Sequence, residues 1–336
     1  MTSEASYPRR DLLLQSAGAL GLAATGGLAL SAANSAAVNP AAAAEPKTDV
    51  AAAKRPADEP FGYCFNTSTI MEQKIGVVAE VELAAKVGYH AVEPWMRDLD
   101  TYVKNGGSLK DLGKRIRDLG ITIESAIGFA QWIVDDDTAR AAGLEQAKRD
   151  MATLAEIGGK RIAAPPVGAQ KISGMNLSTI AERYRKLLEL GDSMGVVPEL
   201  EVWGHSQTLG RLSESTFVAV EAGHPQSCLL PDIYHLFKGG SDFAGLELLS
   251  GQAIHVFHVN DYPAAPARAE QTDAHRVYPG DGVAPLKEVF RTLRANGFRG
   301  YLSLELFNRD YWKQEPELVA TTGLKKTRDA VRSAFA

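Results

Sequence analysis

Four side chains able to bind a metal ion lie in four successive strand-like runs of the chain. The runs span 198–206, 228–235, 253–261 and 301–308, and the side chains are those of Glu201, Asp232, His258 and Glu305. Carboxylate oxygens with one imidazole nitrogen suit a divalent ion such as Mg²⁺, Mn²⁺, Co²⁺ or Fe²⁺, and zinc is also compatible. These residues therefore predict a site for one divalent metal ion.

The spacing of these residues fits strands that are separated by helices. The first two intervals are each about one strand–helix repeat long, and the third leaves room for a repeat and a long loop. A carboxylate that ends one apolar run is often only the first polar residue of a loop. Four such residues in succession are better explained by a barrel of parallel strands, which brings the C-terminal ends of all its strands to one mouth.

Strand patterns alternate with helical patterns from Pro60 onward. Short and mostly apolar runs, typical of strands buried on both faces, span 61–66, 89–94, 121–127, 160–164, 198–203, 228–233, 253–259 and 301–306. Apolar residues at three- and four-residue steps predict helices over 109–119, 177–194 and 284–296. This alternation predicts an α/β fold, a (β/α)8 TIM barrel in a single domain. A doubly wound open sheet is the alternative, although no Gly-x-Gly-x-x-Gly follows the first strand.

The first residues of the chain predict an export signal. Arg9 and Arg10 precede an aspartate and three leucines, and a mild Ala/Gly/Leu stretch then leads to small residues that end at Ala44. This pattern is typical of a twin-arginine signal, and a disordered alanine-rich leader is the alternative. The stretch is too weakly apolar for a stable membrane span. We assign 1–44 to the signal, 45–59 to a polar linker and 60–336 to the barrel, and we expect a periplasmic or extracytoplasmic protein.

Composition limits the kinds of partner. The chain has 336 residues and a formal net charge of −5 without a basic cluster, which argues against nucleic acid. Its two cysteines, Cys64 and Cys228, lie in apolar runs and are interpreted as buried hydrophobic residues. The sequence leaves open whether the protein forms a homo-oligomer.

Six further side chains near the predicted strand ends are candidates for contact with a small substrate. They belong to His235, Arg276, Lys238, Trp203, His205 and Glu93. His235 follows Asp232 by three residues, where it can donate to a substrate hydroxyl or to a ligand carboxylate. Arg276 lies in a loop of charges and turn residues, from which it can close over a substrate. Each of the six also has an ordinary explanation as a loop residue or as a cap of the barrel.

The same residues predict a chemistry. A divalent ion held by carboxylates and one histidine can polarise a carbonyl and stabilise an enediolate. Glu201 and Glu305 would face each other across the barrel mouth beside the ion, and they are the candidates for proton transfer. A Ser-His-Asp arrangement is not evident in the sequence.

The residues around the predicted site resemble the xylose isomerase-like barrel superfamily. More narrowly, they resemble its sugar phosphate isomerase/epimerase group, which includes inosose dehydratase, inosose isomerase and D-tagatose 3-epimerase. The matching motifs are LEVWG, DIYH, FHVND, DAHRVYPGDG and LSLELFN, and the resemblance covers about 60–330. It implies that Glu201, Asp232, His258 and Glu305 hold a divalent metal ion, that the glutamates transfer protons, and that His235 contacts the substrate.

We therefore predict a divalent-metal-dependent sugar isomerase or epimerase that abstracts a proton next to a carbonyl through an enediolate. The alternative is a lyase of the same fold, either a dehydratase or a 3-keto-glycoside β-eliminating enzyme, in which the enediolate expels a group. No Gly-rich phosphate cradle is evident, so the expected substrate is a sugar, keto-sugar or glycoside. The export signal is unusual for inositol catabolism and favours extracytoplasmic sugar or glycoside processing.

Overall fold

The computed structural model describes residues 59–336 of the chain. The predicted export signal, 1–44, and all but the last residue of the predicted linker, 45–59, lie outside the described residues. Within the described range, none of the helices has the length and apolar character that a membrane crossing requires.

The strands of the described residues form a TIM barrel, as the alternating pattern predicts. Every strand pair is parallel, and each strand is short, as is typical of a sheet covered by helices on its outer face. The strands are β1 (Gly62–Asn66), β2 (Ala91–Glu93), β3 (Thr122–Ile123), β4 (Arg161–Ala164), β5 (Val197–Glu201), β6 (Leu229–Leu230), β7 (Val256–Val259) and β8 (Tyr301–Leu304).

Helices connect these strands on the outside. They are α1 (Val77–Val87), α2 (Met96–Lys104), α3 (Leu109–Asp118), α4 (Asp137–Ile157), α5 (Leu177–Met194), α6 (Leu212–Glu221), α7 (Ile233–Gly239), α8 (Leu286–Ala295) and α9 (Pro316–Phe335). Short 3-10 turns occur at Thr67–Gln73, Phe243–Leu248, Gly251–Ala253, Asp273–His275 and Tyr311–Lys313. The three helices predicted from apolar periodicity correspond to α3, α5 and α8.

The sheet closes on itself through two weak seams. Ladders join the strands in the orders β3-β2-β1-β8-β7 and β4-β5-β6. At the first seam, the amide of Ala163 donates to the carbonyl of Ala126 at 2.8 Å. At the second, parallel bridges pair Leu229 with Ile254 and Asp232 with His258. The second seam therefore places two of the predicted metal ligands side by side.

Local sequence signals explain where the helices begin and end. The side chain of Asn176 accepts hydrogen bonds from the first turn of α5, and Gly195 ends the helix at a positive φ of 69°. The buried stripe of α5 includes Tyr184, whose hydroxyl lies within hydrogen-bonding distance of the carbonyls of Pro198 and Cys228, at 2.9 and 3.0 Å. This helix thereby holds β5 and β6, the strands that carry or precede two of the predicted ligands.

Alternation along the strands decides which side chains enter the barrel. Because paired residues of parallel strands lie on the same face of a sheet, Leu230 lies inward beside Glu201, and Ser303 lies inward beside His258. Leu230 belongs to a small apolar cluster with Trp95, Ile127, Ala163 and Val256. The polar residues at the strand ends therefore lie above an apolar floor and away from the core between sheet and helices.

Asp261 fixes the long loop between β7 and α8. Its carboxylate accepts hydrogen bonds from the amides of Tyr262, Gly280, Gly282 and Ala284 at 2.8 to 3.1 Å. Burial raises the pKa of Asp261, and these four donors offset part of that rise. Its backbone also pairs with Val277 in an antiparallel bridge. One buried side chain thus holds both ends of the loop that carries Arg276.

We expect Asp261→Asn to destabilise the fold. An asparagine side chain would turn its NH₂ group toward two backbone amides that now donate to a carboxylate oxygen, so these donors would lose their acceptor. The expected loss is about 1–3 kcal/mol in the free energy of unfolding, measured by urea denaturation. Asp310→Asn is the control, because Asp310 is exposed and pairs with the equally exposed Lys313. An unchanged unfolding free energy for Asp261→Asn would contradict this role.

Candidate metal centre

The four predicted metal ligands converge at the mouth of the barrel. His258 lies in β7, Glu201 ends β5, Asp232 lies two residues after the end of β6, and Glu305 directly follows β8. Their exposed fractions are 3% for Glu201 and Glu305 and 0% for Asp232 and His258. Their convergence follows from the fold, because the C-terminal ends of parallel barrel strands share one face.

The imidazole of His258 is the centre of this arrangement. Its Nε2 lies 3.0 Å from Oε2 of Glu93, so this nitrogen carries the proton that the carboxylate accepts. Its Nδ1 lies 3.3 Å from Oε2 of Glu305, 3.7 Å from Oδ2 of Asp232 and 4.0 Å from Oε1 of Glu201. In the neutral ring, the lone pair of Nδ1 therefore faces three carboxylate oxygens.

A divalent cation fits this donor set. Nδ1 of His258 and Oε2 of Glu201 are buried and have no hydrogen-bond partner among the described residues. Asp232, His258 and Glu305 each offer one ligand atom, and these atoms lie within 4.8 Å of one another. One positive ion between them would satisfy the unpartnered atoms and offset the repulsion of the carboxylates. The three residues suggest a divalent metal, and Oε1 of Glu201 lies beside them, 4.0 Å from Nδ1 of His258.

The pKa shifts in the cluster also indicate that its carboxylates favour a positive charge beside them. Burial raises the pKa of Glu201 to about 8, and the negative charge of Glu305 acts in the same direction. Burial alone would lower the pKa of His258, but Glu305 and Glu93 raise it well above its usual value. Burial on its own would raise the pKa of Asp232, as it does that of Glu201, but the positive charge of Arg276 holds the pKa of Asp232 below its usual value.

Arg276 supplies a fixed positive charge to the cluster. It is 1% exposed, and its Nη1 donates to Oδ2 of Asp232 at 2.8 Å and to Oε2 of Glu305 at 2.7 Å. Its Nη2 donates to Oδ1 of Asp273 at 2.6 Å and lies 3.0 Å from Nε2 of His235. The loop anchored by Asp261 therefore delivers a guanidinium to two of the candidate ligands, a contact that the sequence alone did not predict.

Glu93 has partners within the protein. Its Oε2 accepts hydrogen bonds from Oγ of Ser303 at 2.6 Å and from Nδ2 of Asn66 at 2.9 Å, in addition to the contact with His258. Asn66 also donates to Oε1 of Glu305 at 3.2 Å. Glu93 is fully buried and orients the imidazole. Its predicted contact with substrate remains a prediction.

His235 and its neighbours form one wall of the mouth. His235 is buried, and its ring centroid lies 5.4 Å from that of His205, which in turn lies 5.2 Å from Trp203. Burial lowers the pKa of His235 to about 3, and the adjacent charge of Arg276 adds to the effect. In the neutral ring, Nε2 accepts from Arg276, so the proton lies on Nδ1, which has no hydrogen-bond partner among the described residues.

Lys238 lies apart from this group. Its ammonium donates to three backbone carbonyls within 268–271, at distances of 2.6, 2.9 and 3.0 Å. The side chain thereby ties α7 to the loop that carries Arg276. The structure does not bring Lys238 to the candidate metal centre, and its contact with a substrate stays untested.

Several residues of the site were missed by the sequence analysis. Asn260 donates to both carboxylate oxygens of Asp232 at 3.3 and 3.2 Å, and it accepts from the amide of Tyr234 at 3.0 Å. Asn260 lies two positions after His258, and Ser303 lies two positions before Glu305. The two-residue period of a strand could therefore have predicted that both face the barrel interior.

Comparison with known proteins supports the fold and the type of chemistry. The family of the xylose isomerase-like TIM barrel matches residues 81–330. An inosose isomerase from Bacillus velezensis is 29% identical over 276 residues, which are 81% of this chain and 97% of the relative. A 3-dehydro-D-guloside 4-epimerase from Escherichia coli is 24% identical over 213 residues, 59% of this chain and 77% of the relative. A 3-dehydroshikimate dehydratase from Pseudomonas aeruginosa is 25% identical over 255 residues, 73% of this chain and 38% of the relative.

The similarity extends to three dimensions. A crystal structure described as IOLI protein with a bound zinc atom superposes with a TM-score of 0.76 and 25% identity, covering 82% of this chain and 100% of that one. These relatives indicate an enzyme of the isomerase, epimerase or lyase kind. The parallel barrel, its mouth of carboxylates and one histidine, and the match over residues 81–330 agree with one another, and the chain belongs to the xylose isomerase-like TIM barrel family.

Proposed function

We propose that this protein is a divalent-metal-dependent isomerase or epimerase of keto-sugars. The reaction would begin with removal of a proton from the carbon beside a carbonyl. The observation that carries the proposal is the position of Nδ1 of His258, a buried and unpartnered nitrogen that three carboxylates approach within 4.0 Å. The relatives support the reaction class, since they include an inosose isomerase and a 3-dehydro-D-guloside 4-epimerase.

Glu201, Asp232, His258 and Glu305 would hold the ion. When bound there, a divalent metal such as Mn²⁺, Mg²⁺, Co²⁺, Fe²⁺ or Zn²⁺ would polarise the substrate carbonyl and stabilise the negative charge that develops as the proton leaves. The donor set is the support for this assignment, because it combines three buried carboxylates with one oriented imidazole.

The protein's own groups would position the substrate and move its proton. Oε2 of Glu201 has no hydrogen-bond partner among the described residues, which leaves it available to accept a proton. Both oxygens of Glu305 are engaged, one by Asn66 and the other by Arg276, so its role depends on release of one of these contacts. His235 lines the same mouth, and its Nδ1, which has no hydrogen-bond partner among the described residues, is suited to donate to a substrate oxygen. Arg276 is engaged by Asp232, Glu305, Asp273 and His235, so its contact with a substrate would depend on release of one of these groups.

A carbon–oxygen lyase is the second candidate. It requires the same first step, after which the carbanion expels a group from the neighbouring carbon instead of being reprotonated. The relationship to a 3-dehydroshikimate dehydratase favours this alternative. The two candidates differ in the fate of the carbanion, so the product distinguishes them.

The expected compartment is also part of the proposal. Arg9 and Arg10, followed by a weakly apolar stretch and small residues up to Ala44, support export by the twin-arginine route. That route carries folded proteins, which would suit an enzyme that binds its metal before export. A periplasmic or extracytoplasmic enzyme would meet sugars and glycosides outside the cytoplasm.

Asp232→Asn should bind less metal and gain less stability from it. Loss of one carboxylate ligand weakens the site, and an ion that binds the folded state stabilises it by about 2.7 kcal/mol at one hundred times its dissociation constant. Metal content by mass spectrometry and melting temperature with and without added Mn²⁺ or Zn²⁺ are the measurements. Asp310→Asn, which alters an exposed carboxylate, should behave as the wild type. Stoichiometric metal in Asp232→Asn would rule out this ligand.

Proton removal should be detectable as incorporation of deuterium from the solvent. In D₂O, metal-loaded protein acting on an inosose, a ketohexose or methyl 3-keto-glucoside should place deuterium on the carbon beside the carbonyl, as detected by NMR. Loss of a general base costs about 10²–10⁴-fold in rate, so Glu201→Gln and Glu305→Gln should both be strongly impaired. Metal content must be measured alongside, and Glu288→Gln on the exposed face of α8 is the control.

The product then decides between the candidates. Deuterium in a rearranged, intact sugar supports the isomerase or epimerase, whereas an unsaturated or released product supports the lyase. A rearranged sugar that contains no deuterium, together with full rates for metal-loaded Glu201→Gln and Glu305→Gln, would refute the carboxylate base and indicate a hydride shift.

Replacement of Arg9 and Arg10 by lysine should retain the protein in the cytoplasm. The twin-arginine route recognises the arginine pair, which two lysines do not replace. Cell fractionation and immunoblotting of the two forms is the measurement. Equal amounts of both forms outside the cytoplasm would refute the signal.

A further inference from the structure

The guanidinium of Arg276 lies between two groups of carboxylates. Its Nη1 donates to Oδ2 of Asp232 at 2.8 Å and to Oε2 of Glu305 at 2.7 Å, within the candidate metal centre. Its Nε and Nη2 donate to Oδ1 of Asp273 at 3.1 and 2.6 Å. The side chain of Asp273 is 40% exposed, whereas those of Asp232 and Glu305 are at most 4% exposed. One edge of the guanidinium therefore faces the buried cluster, and the other edge faces a partly exposed carboxylate.

The two ligand oxygens that Arg276 contacts also approach the imidazole of His258. Nδ1 of His258 lies 3.7 Å from Oδ2 of Asp232 and 3.3 Å from Oε2 of Glu305. A divalent ion that binds Nδ1 therefore meets two oxygens that already accept hydrogen bonds from a positively charged group. The guanidinium and the ion would have to share these two atoms.

The orientation of both carboxylates does not depend on the guanidinium alone. Oδ1 of Asp232 accepts from the backbone amide of His235 at 2.9 Å, and Nδ2 of Asn260 donates to both oxygens of Asp232 at 3.3 and 3.2 Å. Oε1 of Glu305 accepts from Nδ2 of Asn66 at 3.2 Å. These three donors are neutral, so they hold the carboxylates in place without repelling a cation. What the guanidinium adds to them is mainly its positive charge.

Two positive charges that share the same oxygens oppose each other. Water screens this repulsion little, because Arg276, Asp232 and Glu305 are all buried. A supporting partner of a metal ligand increases metal affinity, and its loss typically lowers that affinity about 10–100-fold. A fixed cation on the ligand oxygens has the opposite effect, because it occupies their lone pairs and repels the ion. The sign of the change in metal affinity therefore distinguishes the two roles.

We propose that Arg276 is an internal competitor of the metal ion at Asp232 and Glu305, and that it lowers the metal affinity of the site. Without an ion, its guanidinium balances the charge of the two carboxylates. When an ion binds, Nη1 would release these oxygens, and Asp273 would retain the side chain through Nε and Nη2. The inference rests on the metal centre of the proposed function, but it concerns metal affinity and requires no turnover.

Asp273 sets how strongly the guanidinium opposes the ion. Burial alone would raise the pKa of Asp273, but the positive charge of Arg276 holds it below its usual value, so the carboxylate is ionised and attracts the guanidinium. Within residues 59–336, the other carboxylates that pair with Arg276 are those of Asp232 and Glu305. Loss of the charge on Asp273 would therefore leave the guanidinium to these two ligands and strengthen the competition.

The test measures metal affinity directly. Mn²⁺ is titrated into metal-free full-length protein by calorimetry, at mildly alkaline pH so that protons compete little for the carboxylates. We expect Arg276→Met to bind Mn²⁺ at least about 10-fold more tightly than the wild type, and Arg276→Lys, which keeps a positive charge, to show a smaller increase. Arg183→Met is the control and should leave the affinity unchanged, because Arg183 is a largely buried arginine that pairs with Asp135 on the outer helix α5.

A double-mutant cycle tests the part assigned to Asp273. Asp273→Asn alone should weaken Mn²⁺ binding about 3-fold or more, since the guanidinium then contacts the two ligands without a rival carboxylate. In the Arg276→Met background the same change should have a clearly smaller effect. An equal effect in both backgrounds would mean that Asp273 attracts the ion directly, and it would overturn this part of the inference.

Melting temperatures with and without Mn²⁺ establish that each variant is folded. Arg276→Met leaves buried carboxylates without their cation, so we expect a lower melting temperature without the ion and a larger increase with it than in the wild type. An unchanged or weaker Mn²⁺ affinity in folded Arg276→Met would overturn the inference and identify Arg276 as a support of the ligands. If Arg276→Met does not fold, Arg276→Lys and Asp273→Asn decide, and wild-type affinity in both would overturn the inference.

Failure of the proposed function gives a different result. Tighter Mn²⁺ binding by Arg276→Met in a protein that turns over no keto-sugar would refute the isomerase and lyase reactions and still support the competition. A wild type that binds no Mn²⁺ beside an Arg276→Met variant that binds it would also support the competition. If neither protein binds Mn²⁺ or Zn²⁺, the metal centre and the inference are both wrong.

Discussion

Repulsion between buried carboxylates is the constraint around which the barrel mouth is organised. The side chains concerned are those of Glu93, Glu201, Asp232 and Glu305, all at most 3% exposed. Burying such charges without compensation is costly, so each must contact a cation or a hydrogen-bond donor. Arg276 and the imidazole of His258 meet this demand in part. Nδ1 of His258 marks the point where a divalent ion would complete the balance.

The same constraint links a distant loop to the site. The positive charge of Arg276 reaches Asp232 and Glu305 because Asp261 gathers four backbone amides and holds the loop between β7 and α8 in place. Lys238 fastens the same loop to α7 through its carbonyls. Residues that do not touch the cluster therefore position the guanidinium that balances its negative charge. The stability of the loop and the geometry of the site depend on one another for this reason.

The sequence predicted well the features that depend on local periodicity. All eight strands and the three periodic helices occur where apolar patterns place them, and His258 faces the barrel mouth because it lies on the inward face of its strand. The contacts of Arg276 and the positions of Phe129 and Phe307 were not predicted. They lie on loops, whose paths depend on distant partners such as Asp261 and leave no periodic signal in the chain.

The position of the candidate metal ligands at strand ends has a consequence for specificity. Three of the four candidate metal ligands, Glu201, Asp232 and Glu305, lie at strand ends that the sheet holds rigidly, so the proposed proton-transfer step would depend on the most constant part of the barrel. Trp95, Phe129, Trp203 and Phe307 lie on loops that follow the strands, and such loops can change in length and composition without disturbing the sheet. Related barrels can therefore share a first step and differ in substrate. In the proposed mechanism, whether the carbanion is reprotonated or expels a group would then depend on the loop side chains beside it.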